Sequence, residues 1–275
     1  MIANVLALCS GVGGLELGVG LAVGAAARVV CHVEREAYAA AVLAARMEDG
    51  TVDPAPIWSD VKSFDARPWR RGVDIVTGGY PCQPFSHAGK RLGVDDPRHL
   101  WPDFARIIGE CQPEIVFCEN VSAHLRNGFD VVARDMEGMG YRVAATLQTA
   151  AEHGAWHRRE RLFWAAARDA DGESESAFAV DAEMAGQPCD TYATDADCEG
   201  PQRHGAERGL EPATRHAREI APIYRGWESE PDVGRVADGV ASRVDRLRAC
   251  GNGVVPVVAA NALLELLNAL HFDCT

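Results

Sequence analysis

The stretch Val5-Leu6-Ala7-Leu8-Cys9-Ser10-Gly11-Val12-Gly13-Gly14-Leu15-Glu16-Leu17-Gly18 decides the fold. Four apolar residues in an unbroken run read as a strand buried on both faces, and the glycines after them read as a tight turn opening an amphipathic helix. A glycine turn at the C-terminal edge of a first strand is where doubly wound sheets bind nucleotide-like ligands. Glu16 stands where the third glycine of G-x-G-x-x-G belongs, which disfavours a pyrophosphate cradle and leaves room for an adenosyl ligand without phosphates.

Working outward, the apolar runs Val29–Val33, Val73–Thr77 and Ile115–Cys118 alternate with helix-like patterns, and Ile57-Trp58-Ser59 reads as another strand. Such alternation predicts a parallel α/β sheet of the doubly wound, Rossmann-like kind. From Val254 to Leu270, apolar residues at helical spacing (Val258, Leu263, Leu266, Leu267, Leu270) predict a last helix that returns to the sheet. Glu34 ends the second strand, where a carboxylate can accept hydrogen bonds from both ribose hydroxyls. Asp60 ends the third, within reach of an adenine amino group.

With 275 residues, 47% of them apolar, the chain can bury one large core or two smaller ones. No run approaches the roughly 18 consecutive apolar residues of a membrane span, and Met1-Ile2-Ala3-Asn4 has no charged leader region, so a soluble, cytoplasmic chain is expected. Nine cysteines without a C-x-x-C pair predict reduced thiols, with neither a disulfide framework nor a metal site. The net charge of −13 argues at first against a nucleic-acid partner. Ten acidic residues and no Lys or Arg fall between Asp169 and Glu199, however, so the remainder is nearly neutral. From Gln202 to Arg235 the composition turns to Arg, His, Pro and Gly. Residues 169–234 therefore read as an excursion, acidic and partly disordered over 169–200, between two parts of one domain, 1–168 and 235–275.

The fourth strand runs into Gly78-Gly79-Tyr80-Pro81-Cys82-Gln83-Pro84-Phe85-Ser86, and the fifth ends in Glu119-Asn120-Val121. A cysteine between prolines at the carboxyl edge of a strand is placed like a nucleophile. Together with the Gly11-x-Gly13-Gly14 turn, the run His157-Arg158-Arg159-Glu160-Arg161 and the late Gly251-Asn252-Gly253-Val254-Val255-Pro256, these segments resemble the DNA cytosine-5 methyltransferases in order and in spacing. Three positions depart from the family pattern: Cys9 replaces a phenylalanine near the adenine, His157 replaces a glutamine, and Gly253 replaces the commoner alanine.

The resemblance implies a doubly wound S-adenosylmethionine-binding domain with a small target-recognition insert, into whose slot 169–234 falls. It implies that Cys82 adds to carbon 6 of a flipped-out cytosine and that Glu119 serves ring nitrogen 3. Asn120 orients the loop, and Arg159 and Arg161 hold the base carbonyl, the thiolate loop or a phosphate. Ser10, Gly11, Gly13, Gly14, Glu34, Asp60, Val61, Asn252 and Val254 are the implied cofactor contacts. Gln83, Ser86, Lys90 and Arg91 are the implied DNA contacts, with Arg126 as a further phosphate ligand. The implied partners are double-stranded DNA and, where a restriction system is present, a cognate endonuclease; no membrane or metal is implied. An RNA cytosine methyltransferase, an idle DNA-binding relative and an amino-methyltransferase stay open as alternatives. The first would carry Cys-Phe-Thr and the last Asp/Asn-Pro-Pro-aromatic, and neither motif is found.

Overall fold

The structure is a computed structural model that describes residues 2–81, 100–155, 157–168 and 243–272. In chain order the elements are β1 (Ala3–Leu8), α1 (Gly14–Val23), β2 (Ala27–Val33), α2 (Ala37–Glu48), β3 (Ile57–Trp58), β4 (Ile75–Gly78) and α3 (Trp101–Cys111). There follow β5 (Ile115–Val121), α4 (Phe129–Gly138), β6 (Tyr141–Thr149), β7 (Glu160–Arg168), α5 (Arg243–Asn252) and α6 (Pro256–Phe272).

Seven strands form one sheet in the order β3-β2-β1-β4-β5-β7-β6. β1 to β5 pair in parallel, and β7 runs antiparallel to both β5 and β6. The central strands carry apolar residues on both faces because both faces are covered. Val5, Ile75, Ile115, Phe117, Phe163 and Ala165 face a core shared with α1 and α6. Their neighbours Leu6, Leu8, Val76, Val116, Cys118, Leu162 and Trp164 face a second core shared with α3 and α4. The alternation of period two along each strand thus feeds two cores from one sheet.

α1 departs from the amphipathic reading. It is apolar nearly all round, and its charged residue, Glu16, lies on the buried side with Leu15, Val19 and Ala22. Helix α6 packs on the same face, with Val258, Leu263, Leu266, Leu267 and Leu270 buried as their spacing predicts. The run Arg243–Leu270 contains an 18-residue window with mean hydropathy 1.7, long and apolar enough by length and composition to cross a membrane. Asn261, Glu265 and Asn268 interrupt the apolar residues of α6, so no unbroken apolar run marks this window in the sequence. In the fold the apolar residues of α6 are spent on the sheet.

Glu16 is the chief polar intrusion in this core. Its Oε1 accepts a hydrogen bond from Thr77 Oγ1 on β4 at 2.7 Å, and its Oε2 has no hydrogen-bond partner among the described residues. Burial outweighs the Thr77 bond and pushes its carboxyl up from 4.5 to about 7. Because folded Glu16 keeps its proton to higher pH than the unfolded chain does, its stability contribution is fully present below pH 4.5 and is lost as pH rises through about 7. That gap corresponds to about 3 kcal/mol. Glu16→Gln is therefore expected to stabilise the fold at pH 8 relative to the parent and to have little effect at pH 4.5. Urea unfolding of both proteins across that range measures it; parallel curves would show that Glu16 ionises freely.

Candidate active site

Crossovers from β1 run outward to β2 and β3, and the chain then returns to β4 on the other side of β1. The carboxyl ends of β1 and β4 thus flank the topological switch point, with Leu8 paired to Gly78 and Gly78 to Cys118. The glycine turn, the stem Gly79–Pro81 and the Glu119–Asn120 pair all emerge at this edge. β7, being antiparallel, starts there and adds Arg161.

The glycine turn is built from the inside. Gly13 has φ +82°, a left-handed conformation that a side chain would strain, and its N–H donates to Ser10 O at 2.9 Å. A Cβ on Gly14 would meet the Val254 carbonyl oxygen at 2.7 Å, so that glycine lets the chain before α6 close on the turn. Gly14 and Val254 thus touch each other. The Ser10 hydroxyl points inward too, donating to Ala7 O and meeting His32 Nδ1, each at 3.1 Å. Burial pushes His32 down to about 4, so the ring is neutral.

Glu34 ties the turn to β2. Its Oε2 accepts from Gly11 N and its Oε1 from Glu36 N, both at 2.7 Å, and each oxygen keeps a second lone pair. Asp60 Oδ1 caps the turn after β3 by accepting from Lys62 N at 3.0 Å, and Val61 beside it is buried. Cys9 lies against these groups: burial first, then the Glu34 and Asp60 carboxylates, push its thiol up to about 12. An adenosyl ligand needs acceptors for ribose hydroxyls and an exocyclic amine beside a neutral wall. Glu34, Asp60 and the protonated Cys9 supply that set, and S-adenosylmethionine fits it.

On β5, Glu119 and Asn120 project to opposite faces. Asn120 is buried, its Nδ2 donating to Tyr80 O at 3.0 Å and its Oδ1 accepting from Val121 N at 2.9 Å. It therefore braces the stem before Cys82, as the resemblance implies. Glu119 Oε1 pairs with Arg161 Nε at 2.9 Å, and Oε2 would be 3.6 Å from a Cβ on Gly79. Burial raises the Glu119 carboxyl, while Arg161 and then Arg159 pull it back; burial is the larger effect. A buried acid held above its ordinary range can deliver a proton, and this one lies beside the stem that leads to Cys82.

The two arginines of the 157–161 run engage protein groups here. Arg161 holds Glu119 and donates to Glu160 O at 2.8 Å. Arg159, with φ +35°, donates Nη2–H to the carbonyls of Gly251 and Gly253 and so fastens the end of α5 to the β6–β7 hairpin. Asn252 is exposed between those carbonyls. Cys82, Gln83, Ser86, Lys90, Arg91 and the excursion 169–234 lie outside the described residues. Three residues of this edge were missed from sequence: Thr77, which binds Glu16, and the pair Tyr80 and His124. Tyr80 directly precedes Pro81-Cys82, but its partner His124 is remote in sequence.

A sheet in which β7 alone is reversed, carrying an acid-braced glycine turn at its switch point, defines the chain as a protein with the S-adenosylmethionine-dependent methyltransferase fold. The profile of the C-5 cytosine-specific DNA methylases matches residues 3–197, and the chain belongs to that family.

The Type II methyltransferase M.NgoMIV of Neisseria gonorrhoeae is 33% identical over 168 residues, covering 60% of this chain and 51% of the relative. M.PspPI of Psychrobacter is 33% identical over 165 residues, covering 58% and 38%. The chain thus spans about half, or less, of these curated relatives. A solved E. coli protein described as a DNA modification methyltransferase encoded within a prophage aligns with TM-score 0.50 at 28% identity, covering 60% of this chain and 47% of that one. DNMT2 of Spodoptera frugiperda aligns with TM-score 0.52 at 20% identity, covering 62% and 51%, a likeness of fold.

Proposed function

We propose that this chain transfers a methyl group from S-adenosylmethionine to carbon 5 of cytosine in double-stranded DNA. The observation that carries the reading is Glu119, a buried acid clamped by Arg161 beside the stem of Cys82, at the same switch point as the Glu34-braced turn. Glu34 and Asp60 hold the adenosyl end of the cofactor, with the backbone of Ser10–Gly14, Val61, Asn252 and Val254 around it. When bound, the cofactor supplies an electrophilic methyl group.

Carbon 5 of cytosine is a poor nucleophile until a thiolate adds at carbon 6. Cys82 supplies that thiolate, forming the sulfur–carbon bond as Glu119 gives a proton to ring nitrogen 3. The resulting enamine carbon takes the methyl group from the cofactor and leaves a neutral thioether. Loss of the carbon 5 proton to water then expels Cys82 as the thiolate, and ring nitrogen 3 returns its proton to Glu119, which restores the ring. The target must leave the helix to reach these groups, at about a few kcal/mol of unstacking. Gln83, Ser86, Lys90 and Arg91, following Cys82, and the exposed Arg126 at the same edge are assigned to the DNA strand. Residues 169–234 are assigned to target recognition. The relatives' description as Type II methyltransferases supports a cognate endonuclease as a further partner.

Transfer of a tritiated methyl group to duplex DNA and to tRNA, side by side, tests the reading. Label in DNA, located at cytosines by bisulfite sequencing, is expected. Label confined to tRNA, or at an exocyclic amine, would overturn it.

A further inference from the structure

Cys82 follows Tyr80 by two residues, and Trp101 opens α3 on the far side of 82–99. Contacts among the described residues hold Tyr80 at its carbonyl, its hydroxyl and its ring. Its carbonyl accepts from Asn120 Nδ2 at 3.0 Å, and its hydroxyl lies 3.0 Å from His124 Nε2. Its ring packs against Trp101 and Phe104, with centroids 5.4 and 5.3 Å away. Trp101 is tied down in turn, its Nε1–H donating to Asp135 Oδ2 on α4 at 2.7 Å.

His124 is buried, at 3% exposure, and its Nδ1 lies 3.1 Å from Asn127 O. A carbonyl can only accept, so Nδ1 carries the proton and donates to it. In the uncharged tautomer Nε2 is then the acceptor of the Tyr80 hydroxyl, and the chain of bonds runs from Tyr80 through His124 to Asn127. A phenylalanine would pack in this aromatic cluster as well as Tyr80 does. The hydroxyl adds a directional link from the stem to the turn after β5.

We infer that Tyr80 and His124 are positioning residues for the nucleophile. Their hydrogen bond, with the Asn120 bond on the Tyr80 carbonyl, fixes the backbone from which Pro81 and Cys82 depart. The inference rests on the reading of Cys82 as nucleophile. Attack on carbon 6 depends steeply on placement, since a displacement of about 1 Å can cost about 100-fold in rate.

The test uses Tyr80→Phe, His124→Asn, His124→Gln and the double variant Tyr80→Phe with His124→Asn. Asn keeps a donor for Asn127 O but is too short to reach Tyr80; Gln offers an acceptor near the Nε2 position. Tyr80→Phe and His124→Asn are each expected to lower kcat, and the rate of covalent trapping by a 5-fluorocytosine duplex, by about 10-fold. KM for DNA and for S-adenosylmethionine should stay unchanged. The double variant should be no slower than either single one, because both remove the same link, and His124→Gln should recover most of the loss.

Additive losses, or losses seen in KM or unfolding midpoint with kcat intact, would overturn the inference. An active parent with unaffected variants overturns it alone. A parent that neither transfers methyl groups to DNA nor is trapped overturns the function reading, and this inference with it.

Discussion

Cys82→Ala is expected to abolish methyl transfer to DNA while S-adenosylmethionine still binds. Without a thiolate at carbon 6 the ring never becomes an enamine, and among the described residues no other thiol at this edge is ready to supply the missing bond. Cys118, the cysteine nearest in strand register, is fully buried, and its thiol is held well above its ordinary range by burial. Cys9 is likewise protonated and belongs to the adenosine side. The groups assigned to the cofactor hang on β1, β2 and β3 and on the chain before α6, and none hangs on β4, so the alanine variant should bind cofactor as the parent does. Calorimetric titration with S-adenosylmethionine, tritium transfer and trapping by a 5-fluorocytosine duplex read the three consequences separately. Measurable turnover by the alanine variant would remove the nucleophile assignment.

Much of the fold was legible because it is written in short-range pattern. Short apolar runs at Val5–Leu8, Val29–Val33 and Ile115–Cys118 predict strands covered on both faces, and the two cores bear this out. Glu34 and Asn120 stand at or next to strand ends, where the sequence places a ribose acceptor and a residue that orients the loop, and in the fold each braces a neighbouring loop. What escaped was set by partners remote in sequence. The Ser10 hydroxyl meets His32 on the next strand. Glu16, which breaks the glycine pattern, finds Thr77 on β4 opposite it. Arg159 donates to the carbonyls of Gly251 and Gly253 across a separation no local pattern encodes. Tyr80 and His124 meet because β4 and β5 are neighbours in the sheet, a fact of topology.

Glu119→Gln is expected to lower kcat by about 10²–10⁴, the usual contribution of a general acid, with a smaller loss in DNA affinity. The amide retains an oxygen to accept from Arg161 Nε, so the 2.9 Å contact and the local shape can persist. What it cannot do is release a proton to ring nitrogen 3 as electrons move there. The pH dependence distinguishes lost chemistry from disturbed packing. Burial holds the Glu119 carboxyl above its ordinary 4.5, against the pull of Arg161 and Arg159, so the protonated form persists to higher pH than for an exposed glutamate. In the parent, kcat should therefore fall as pH rises through the folded-state value, and in the Gln variant that limb should vanish. Arg161→Met should move the parent's limb further up in pH, because it removes the larger of the two opposing charges. It should also slow the reaction, since a clamped carboxyl becomes a loose one. A Gln variant with the parent's rate would show that the proton comes from elsewhere. A limb that survives in the Gln variant would assign the titration to another group at this edge.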